Sequence, residues 1–292
     1  MGCVVNIDGT LSPPEQAFVS VFDRGFLYGD SVYEVLRTYQ GAPFELDAHL
    51  DRLENSAALI GLDLTWPREE IVEELRRTVA VAGNAESYAR IVITRGSGEI
   101  GLDPSLARIP RLVIIAKELI TPPPEAYERG VKVALVAVRR NLREAIDPAA
   151  KTGNYLNSVL AMKQAREKGA FEALMLDKEG RITEAASANV FVVKAGTLFT
   201  PPLAGILEGV TRGIVLKLAR AAWIPLREQA LFPDDLLKAD EVFITGTTRE
   251  LVPVVTVAMG AGDLRIGDGR PGRTTRRLLA DFRARARATS GG

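Results

Sequence analysis

The sequence predicts an α+β fold in two domains, on three observations. Short segments rich in β-branched residues recur along the chain, a few amphipathic helices lie among them without regular alternation, and three consecutive prolines break the pattern at 122–124. A length of 292 residues suits one large domain or two of medium size. The alternation of a doubly wound parallel sheet is missing.

Taken in order, VVNI and AFVSVF (17–22) read as strands, and SVYEVLRTY suits either helix or strand. Residues 46–60 form an amphipathic helix with Leu46, Leu50, Leu53 and Ala57 on one face. Pro67 opens a second helix, whose glutamates 69, 70, 73 and 74 oppose Ile71, Val72 and Leu75. YARIVITRG and PRLVIIAKEL are strands. In ELITPPPEAYERG the prolines extend neither a helix nor a central strand, so residues 119–129 read as a linker between domains 1–118 and 130–292. The second domain opens with the strand VKVALVAV and the polar stretch RRNLREAIDPAA. A helix over 155–168 follows, with Leu156, Val159 and Leu160 on its buried face and Met162–Lys163 at the passage to solvent. FEALMLD and RITEA flank a charged, Gly-ended hairpin turn, and NVFVVKAGTLFT repeats the device with Ala195–Gly196. A helix over 209–222, the strands EVFITG and LVPVVTV, and an Arg-rich helix over about 273–287 complete the chain.

Lys and Arg number 37 and so do Asp and Glu, so the formal net charge is zero. That balance argues against a surface built to neutralise nucleic-acid phosphates. No run approaches the roughly 18–20 apolar residues of a membrane span, and the N-terminus has no basic flank before an apolar core. A cytoplasmic location, with neither nucleic acid nor membrane as partner, is the expectation. Cys3 is the only cysteine, which rules out an internal disulfide and a thiolate metal site. His49 is the only histidine, so multi-His metal sites are excluded and no metal is expected. Its place on a helix suits a structural role. Acid–base chemistry would then rest on Lys, Asp, Glu or Tyr, or on a cofactor.

The nine lysines all follow residue 116, and most fall on polar helix faces or in turns. Lys151 differs. It lies in DPAAKTGNYLNSVLA, at a loop–helix junction among small and neutral residues, where a side chain is either simply solvated or poised to attack a carbonyl. Gly209, Val210 and Thr211 open a helix whose N–H groups suit either an ordinary cap or a phosphate. Gly246, Thr247 and Thr248 end a strand with a second cluster of N–H and hydroxyl groups. Arg52 in HLDRL is a charged partner for an anion. Glu184 in RITEAASANVF ends a strand beside small residues.

The blocks DRGFLYGDSVYEVLRTY, HLDRL, YAR, KTGNYLNSVLA, ITEAASANVFVV, LEGVTRG and GTTREL occur in this order. Together the chain resembles, from about residue 5 to 258, the class IV pyridoxal-phosphate aminotransferases, which include branched-chain and D-amino-acid aminotransferases and aminodeoxychorismate lyase. The resemblance implies a two-domain fold-type IV enzyme, with a smaller N-terminal α/β domain and a larger C-terminal pseudo-barrel. It implies pyridoxal 5'-phosphate as cofactor, carried by Lys151 as a Schiff base, with Lys151 also moving the substrate proton. Glu184 would pair with the pyridine nitrogen. Arg52, the Val210 and Thr211 amides and Thr247 would hold the phosphate. Tyr155 would meet the phenolic oxygen, although the branched-chain pattern has one more residue between its Lys and Tyr.

For the substrate the resemblance is mixed. Tyr88-Ala89-Arg90 resembles the Tyr-x-Arg of branched-chain enzymes, whereas Tyr33-Glu34-Val35 and ITRG resemble the D-amino-acid enzymes. The Arg-x-His carboxylate trap of the latter is missing from SGEIGLDP. A carboxylate grip is expected from Tyr33, Arg37, Tyr88, Arg90 or Arg95 with Thr248. The implied activity is ping-pong transfer of an amino group between a small aliphatic amino acid and a 2-oxo acid, by a homodimer. A lyase forming 4-aminobenzoate, an amine transaminase and a non-catalytic metabolite-binding protein are the alternatives.

Overall fold

Strand alternation organises the N-terminal part. In the computed structural model, which describes residues 2–107, 109–260 and 262–290, the chain divides into two units. One runs to Ile120 and takes in Ala150–Asn154 and the end of the chain from Ala286; the other comprises Thr121–Ala149 and Tyr155–Arg285. No helix among the described residues is long and apolar enough to cross a membrane.

The first unit contains β1 (Val4–Ile7), β2 (Thr10–Ser12), α1 (Arg24–Tyr28), β3 (Ser31–Tyr39), β4 (Ala42–Pro43), α2 (Leu46–Leu59), α3 (Arg68–Ala82), β5 (Ser87–Thr94) and β6 (Arg111–Glu118). The strands form an antiparallel sheet in the order β2-β1-β6-β5-β3-β4. Val32 and Leu36, Ala89, Ile91 and Ile93, and Leu112, Ile114 and Ala116 share a core with Leu50, Leu53 and Ala57 of α2 and Ile71, Leu75 and Val79 of α3. Every second strand residue meets the helices, so the residues between them belong to the opposite face of the sheet. SVYEVLRTY is thereby a strand.

AFVSVF is not a strand. Phe18, Val19, Val21 and Phe22 are exposed in an irregular segment. The Ser20 Oγ accepts the Phe22 N–H at 3.1 Å, a local turn that competes with strand pairing.

The second unit contains α4 (Pro124–Glu128), β7 (Val131–Arg139), α5 (Leu156–Glu167), β8 (Glu172–Leu176), β9 (Ile182–Ala185), β10 (Asn189–Lys194), β11 (Thr197–Thr200), α6 (Val210–Ala221), β12 (Leu226–Glu228), α7 (Pro233–Leu237), β13 (Glu241–Gly246), β14 (Glu250–Met259), β15 (Gly262–Arg265) and, up to Arg285, α8 (Arg273–Ser290). Its mixed sheet has the order β12-β11-β10-β13-β14-β7-β8-β9, with β15 on β14. The sheet curls into a half-barrel: β9 turns tightly into β10 through Ala185–Ala188, and Ile182 bonds Leu231, just beyond β12. Val133, Leu174, Val190, Val192, Val242, Ile244, Val252 and Val254 pack together in its core. The β10–β11 turn has φ of 45° at Ala195 and 74° at Gly196, as a two-residue hairpin of this twist requires. The proline run does not continue a strand; Pro124 occupies the first turn of α4, where its missing N–H costs nothing.

Helix α5 buries a different face from the one its leucines suggest. Ser158, Ala161 and Ala165 are buried, while Leu156, Val159 and Leu160 are exposed. The alanines lie against Ala134 and Ala173 of the sheet, where small side chains permit a close approach that leucine would block.

Candidate active site

The backbone of Lys151 is tied to the edge of β3. That strand pairs with β5 on one side and with β4 only at Thr38–Tyr39, which leaves an edge at residues 31–33 for the 151–153 segment. The Tyr33 N–H donates to the Lys151 carbonyl and the Gly153 N–H to that of Ser31, each at 2.9 Å. A Cβ on Gly153 would lie 2.4 Å from Ser31 Oγ and 3.0 Å from the Gly29 carbonyl oxygen, so any larger residue would make its neighbours shift. The Lys151 N–H donates to Ser56 Oγ at 3.0 Å, and that hydroxyl donates to the Arg52 carbonyl at 2.7 Å. The half-buried Lys151 side chain places Nζ 3.3 Å from Tyr33 Oη and 4.4 Å from the ring centroid.

Glu34 lies on the core face of β3, between Val32 and Leu36, and is fully buried. A carboxylate there is tenable only with paired cations and donors. Arg52 supplies Nε at 2.7 Å to Oε1 and Nη2 at 2.8 Å to Oε2, and His49 Nδ1 lies 2.8 Å from Oε2. Burial works to raise the Glu34 pKa, but Arg52 and His49 prevail and hold it at about 2. Burial pushes the His49 pKa down, against the pull of Glu34. A neutral His49 beside an ionised Glu34 must carry its proton on Nδ1 and donate it. His49 is thus structural, as its helical setting suggests, and the Glu34 pair fixes the direction of the Arg52 guanidinium.

Tyr33, Arg37, Tyr88 and Arg90 belong to the sheet face opposite α2 and α3. Arg37 is level with Tyr88, and the Arg90 guanidinium lies 3.8 Å from the Tyr33 ring centroid. Tyr33 therefore meets two cations, Arg90 and Lys151. Arg37 stacks on Tyr39 at 3.9 Å. Arg95 is engaged apart from this group. It bonds Asp30 at 2.8 Å and the carbonyls of Gly61 and Ile60, while Arg24 bonds the same Asp30 carboxylate at 3.0 Å and reaches the Gly101 and Leu102 carbonyls.

In the second unit Glu184 lies on β9, buried among donors. Arg140 Nη2 is 2.8 Å from its Oε1, and its Oε2 accepts from the Leu207 N–H at 3.2 Å and Asn189 Nδ2 at 3.3 Å. Gly209 is the N-cap of α6 and brings no capping side chain to the Val210 and Thr211 amides, which suits them to an external anion. A Cβ on Gly209 would meet Asn189 Oδ1 at 1.9 Å, so the backbone approaches that side chain as only glycine allows. On β13, level with Asn189, the buried Thr245 Oγ1 has no hydrogen-bond partner among the described residues. Thr247 and Thr248 lie in the turn between β13 and β14. Tyr155 is half-buried at the N-cap of α5. Within the second unit, an uncapped helix start, an orphaned hydroxyl and a braced carboxylate suit the phosphate and ring nitrogen of pyridoxal phosphate.

Residues 31–257 match the family model of amino-transferase class IV, and the chain belongs to that family. A Methanocaldococcus jannaschii protein named as a branched-chain-amino-acid aminotransferase is 41% identical over 96% of this chain and 95% of its own. The D-alanine aminotransferase of Bacillus licheniformis is 34% identical over 94% of each chain. Among solved structures, the T.th. branched-chain amino acid aminotransferase with pyridoxamine 5'-phosphate superposes with a TM-score of 0.92 at 30% identity, covering 98% of this chain and 94% of that one. The protein is a pyridoxal-phosphate-dependent transaminase of fold type IV.

Glu34, Arg140 and Asn189 escaped the sequence reading. Glu34 left a signal: it alternates with Val32 and Leu36, so once SVYEVLRTY is a strand an acid faces the core and requires a cation opposite. Arg140 left none, because it meets Glu184 only once β7, β8 and β9 lie side by side, and Asn189 meets it across the tight turn from β9 to β10.

Proposed function

We propose that this transaminase moves an amino group between a small, mostly aliphatic α-amino acid and a 2-oxo acid in two alternating half-reactions, as a cytoplasmic homodimer. The observation that carries the reading is the placement of Lys151, with its backbone tied to β3 and Nζ 3.3 Å from Tyr33 Oη. Pyridoxal phosphate, when bound, supplies an electrophilic carbonyl carbon and a ring that accepts charge from the substrate α-carbon. Lys151 would hold that carbonyl carbon, and its Nζ, when free, would carry the proton to and from the substrate α-carbon. Tyr33 Oη orients Nζ for this transfer. Glu184, oriented by Arg140, holds a proton at the ring nitrogen. Arg52, the Val210 and Thr211 amides and Thr247 bind the phosphate, and Tyr155 meets the phenolic oxygen. Arg37, Tyr88, Arg90 and Thr248 bind substrate carboxylate. Arg95 keeps its place in this set only by exchanging Asp30 for substrate.

Relatives named as branched-chain enzymes favour an L-branched-chain donor. Tyr33 at the start of Tyr-Glu-Val, together with the D-alanine aminotransferase relative, favours a second reading with a D-amino-acid donor. The exposed Leu156, Val159 and Leu160 of α5 support self-association. The deciding experiment is a panel of D- and L-amino donors with 2-oxoglutarate and pyruvate as acceptors, run beside an assay of aminodeoxychorismate cleavage. Turnover highest with aliphatic donors is expected. Turnover confined to aminodeoxychorismate, or absent with every amino acid, rejects the reading.

A further inference from the structure

The turn that carries Thr247 and Thr248 is braced by a partly buried ion pair with no part in the chemistry above. Arg249 follows the turn directly, and its N–H closes the turn on the Gly246 carbonyl at 3.1 Å. Its Nη1 lies 2.6 Å from Glu172 Oε2 and its Nη2 donates to Ser187 Oγ at 3.0 Å. The Ser187 hydroxyl donates in turn to the same Glu172 oxygen at 2.6 Å, while Glu172 Oε1 accepts the Ala173 N–H at 3.0 Å. Glu172, on β8, is 1% exposed. Phe171 lies under the guanidinium, 5.6 Å away, and Tyr127 Oη donates to the Arg249 carbonyl at 3.1 Å. Gly246 packs against Arg249 Cγ and the Ser187 carbonyl, where a Cβ would be at 3.4 and 3.5 Å.

The connectivity gives this cluster its meaning. Ser187 belongs to the tight turn that follows Glu184, and Arg249 to the end of the threonine turn, so Glu172 binds two loops that the chain reaches from different strands. The residue after Arg249 is strained: Glu250 has φ of 57°, a region that hairpins of this loop length usually give to glycine. Arg283 Nε holds the Glu250 carboxylate at 2.7 Å. A turn closed through a strained residue keeps its shape only if its neighbours impose it.

We propose that Arg249, acting through Glu172 and Ser187, is a positioning residue that holds the Gly246–Thr248 turn in the form that grips the cofactor phosphate, and so sets how long the cofactor stays bound. This rests on the reading of Thr247 as a phosphate ligand. The test is the rate at which cofactor leaves the holoenzyme on dilution into an excess of a carbonyl-trapping reagent, for the wild type, Arg249→Met, Arg249→Lys, Ser187→Ala and Thr247→Val. The same proteins are also loaded with pyridoxal, which lacks the phosphate. Release of pyridoxal phosphate about tenfold faster in Arg249→Met is expected, with Arg249→Lys and Ser187→Ala in between. Pyridoxal release should not change among them. Equal acceleration for both ligands means general loosening and overturns the proposal. Should Arg249→Met not fold, Arg249→Lys and Ser187→Ala carry the same comparison. Fast release in Thr247→Val with wild-type release in the Arg249 and Ser187 variants overturns the positioning role alone. Unchanged release in Thr247→Val removes the phosphate reading and this inference with it.

Discussion

Replacing Glu34 with Gln probes the polar cluster between β3 and α2, and its size follows from the geometry. Glu34 ionises near pH 2 in the fold against 4.5 for an ordinary glutamate, because Arg52 and His49 outweigh its burial. That gap is worth on the order of 3 kcal/mol at neutral pH. The sign is fixed by the direction of the change. A carboxyl whose pKa is depressed on folding contributes fully above its unfolded value, and loses that contribution as pH falls from 4.5 towards 2. Gln keeps the shape and one acceptor but leaves the Arg52 charge, 10% exposed, without its counterion. Urea unfolding of the holoenzyme at pH 5 and pH 3 is the assay. The wild type should lead the variant by roughly 3 kcal/mol at pH 5 and by about half of that at pH 3. A gap of the same size at both pH values refutes the reasoning, since it would show that packing, not ionisation, distinguishes the two proteins.

Other outcomes follow from the same structure. Asp30→Asn should lower the thermal midpoint by the loss of about 1–3 kcal/mol, since Arg24 and Arg95 share this carboxylate; a midpoint unchanged within error counts against the anchor. Glu184→Gln should retain cofactor but slow the half-reactions by about 10²-fold or more in single-turnover spectroscopy, and wild-type rates would remove Glu184 from its role. Arg90→Met should raise the KM for amino and oxo acids about tenfold or more with little change in thermal stability, and an unchanged KM would reduce Arg90 to a stacking partner of Tyr33. Val159→Glu should shift the sedimentation coefficient towards a monomer if the exposed face of α5 forms the self-association surface.

Local pattern carried the fold well wherever partners lie close in sequence. The two helices over 46–60 and from Pro67, the β8–β9 and β10–β11 hairpins and the helix after Gly209 were legible from period and turn chemistry. AFVSVF misled because β-branched and aromatic residues state a preference for strand, and pairing requires an edge that these residues do not find. The buried face of α5 misled because large apolar residues suggest burial, whereas alanine against alanine lets a helix approach a sheet more closely than leucine does. In the site, single residues with unusual surroundings were visible: one lysine among small neutral neighbours, and a glycine opening a helix. The residues that orient them were hidden. Arg140 and Glu172 act through partners distant in sequence, Glu184 and Arg249, while Asn189 meets Glu184 five residues away across a tight turn; nothing local to RRNL, FEAL or SANV announces these pairings.

The central claim is that one amine, Lys151 Nζ, holds the cofactor. Borohydride reduction of the holoenzyme followed by peptide mass mapping tests it directly. A phosphopyridoxyl group on the peptide containing Lys151, together with loss of the visible absorbance and of activity in Lys151→Ala, is the predicted result. A label on any other lysine, or a Lys151→Ala protein that still transfers amino groups at the wild-type rate, contradicts it.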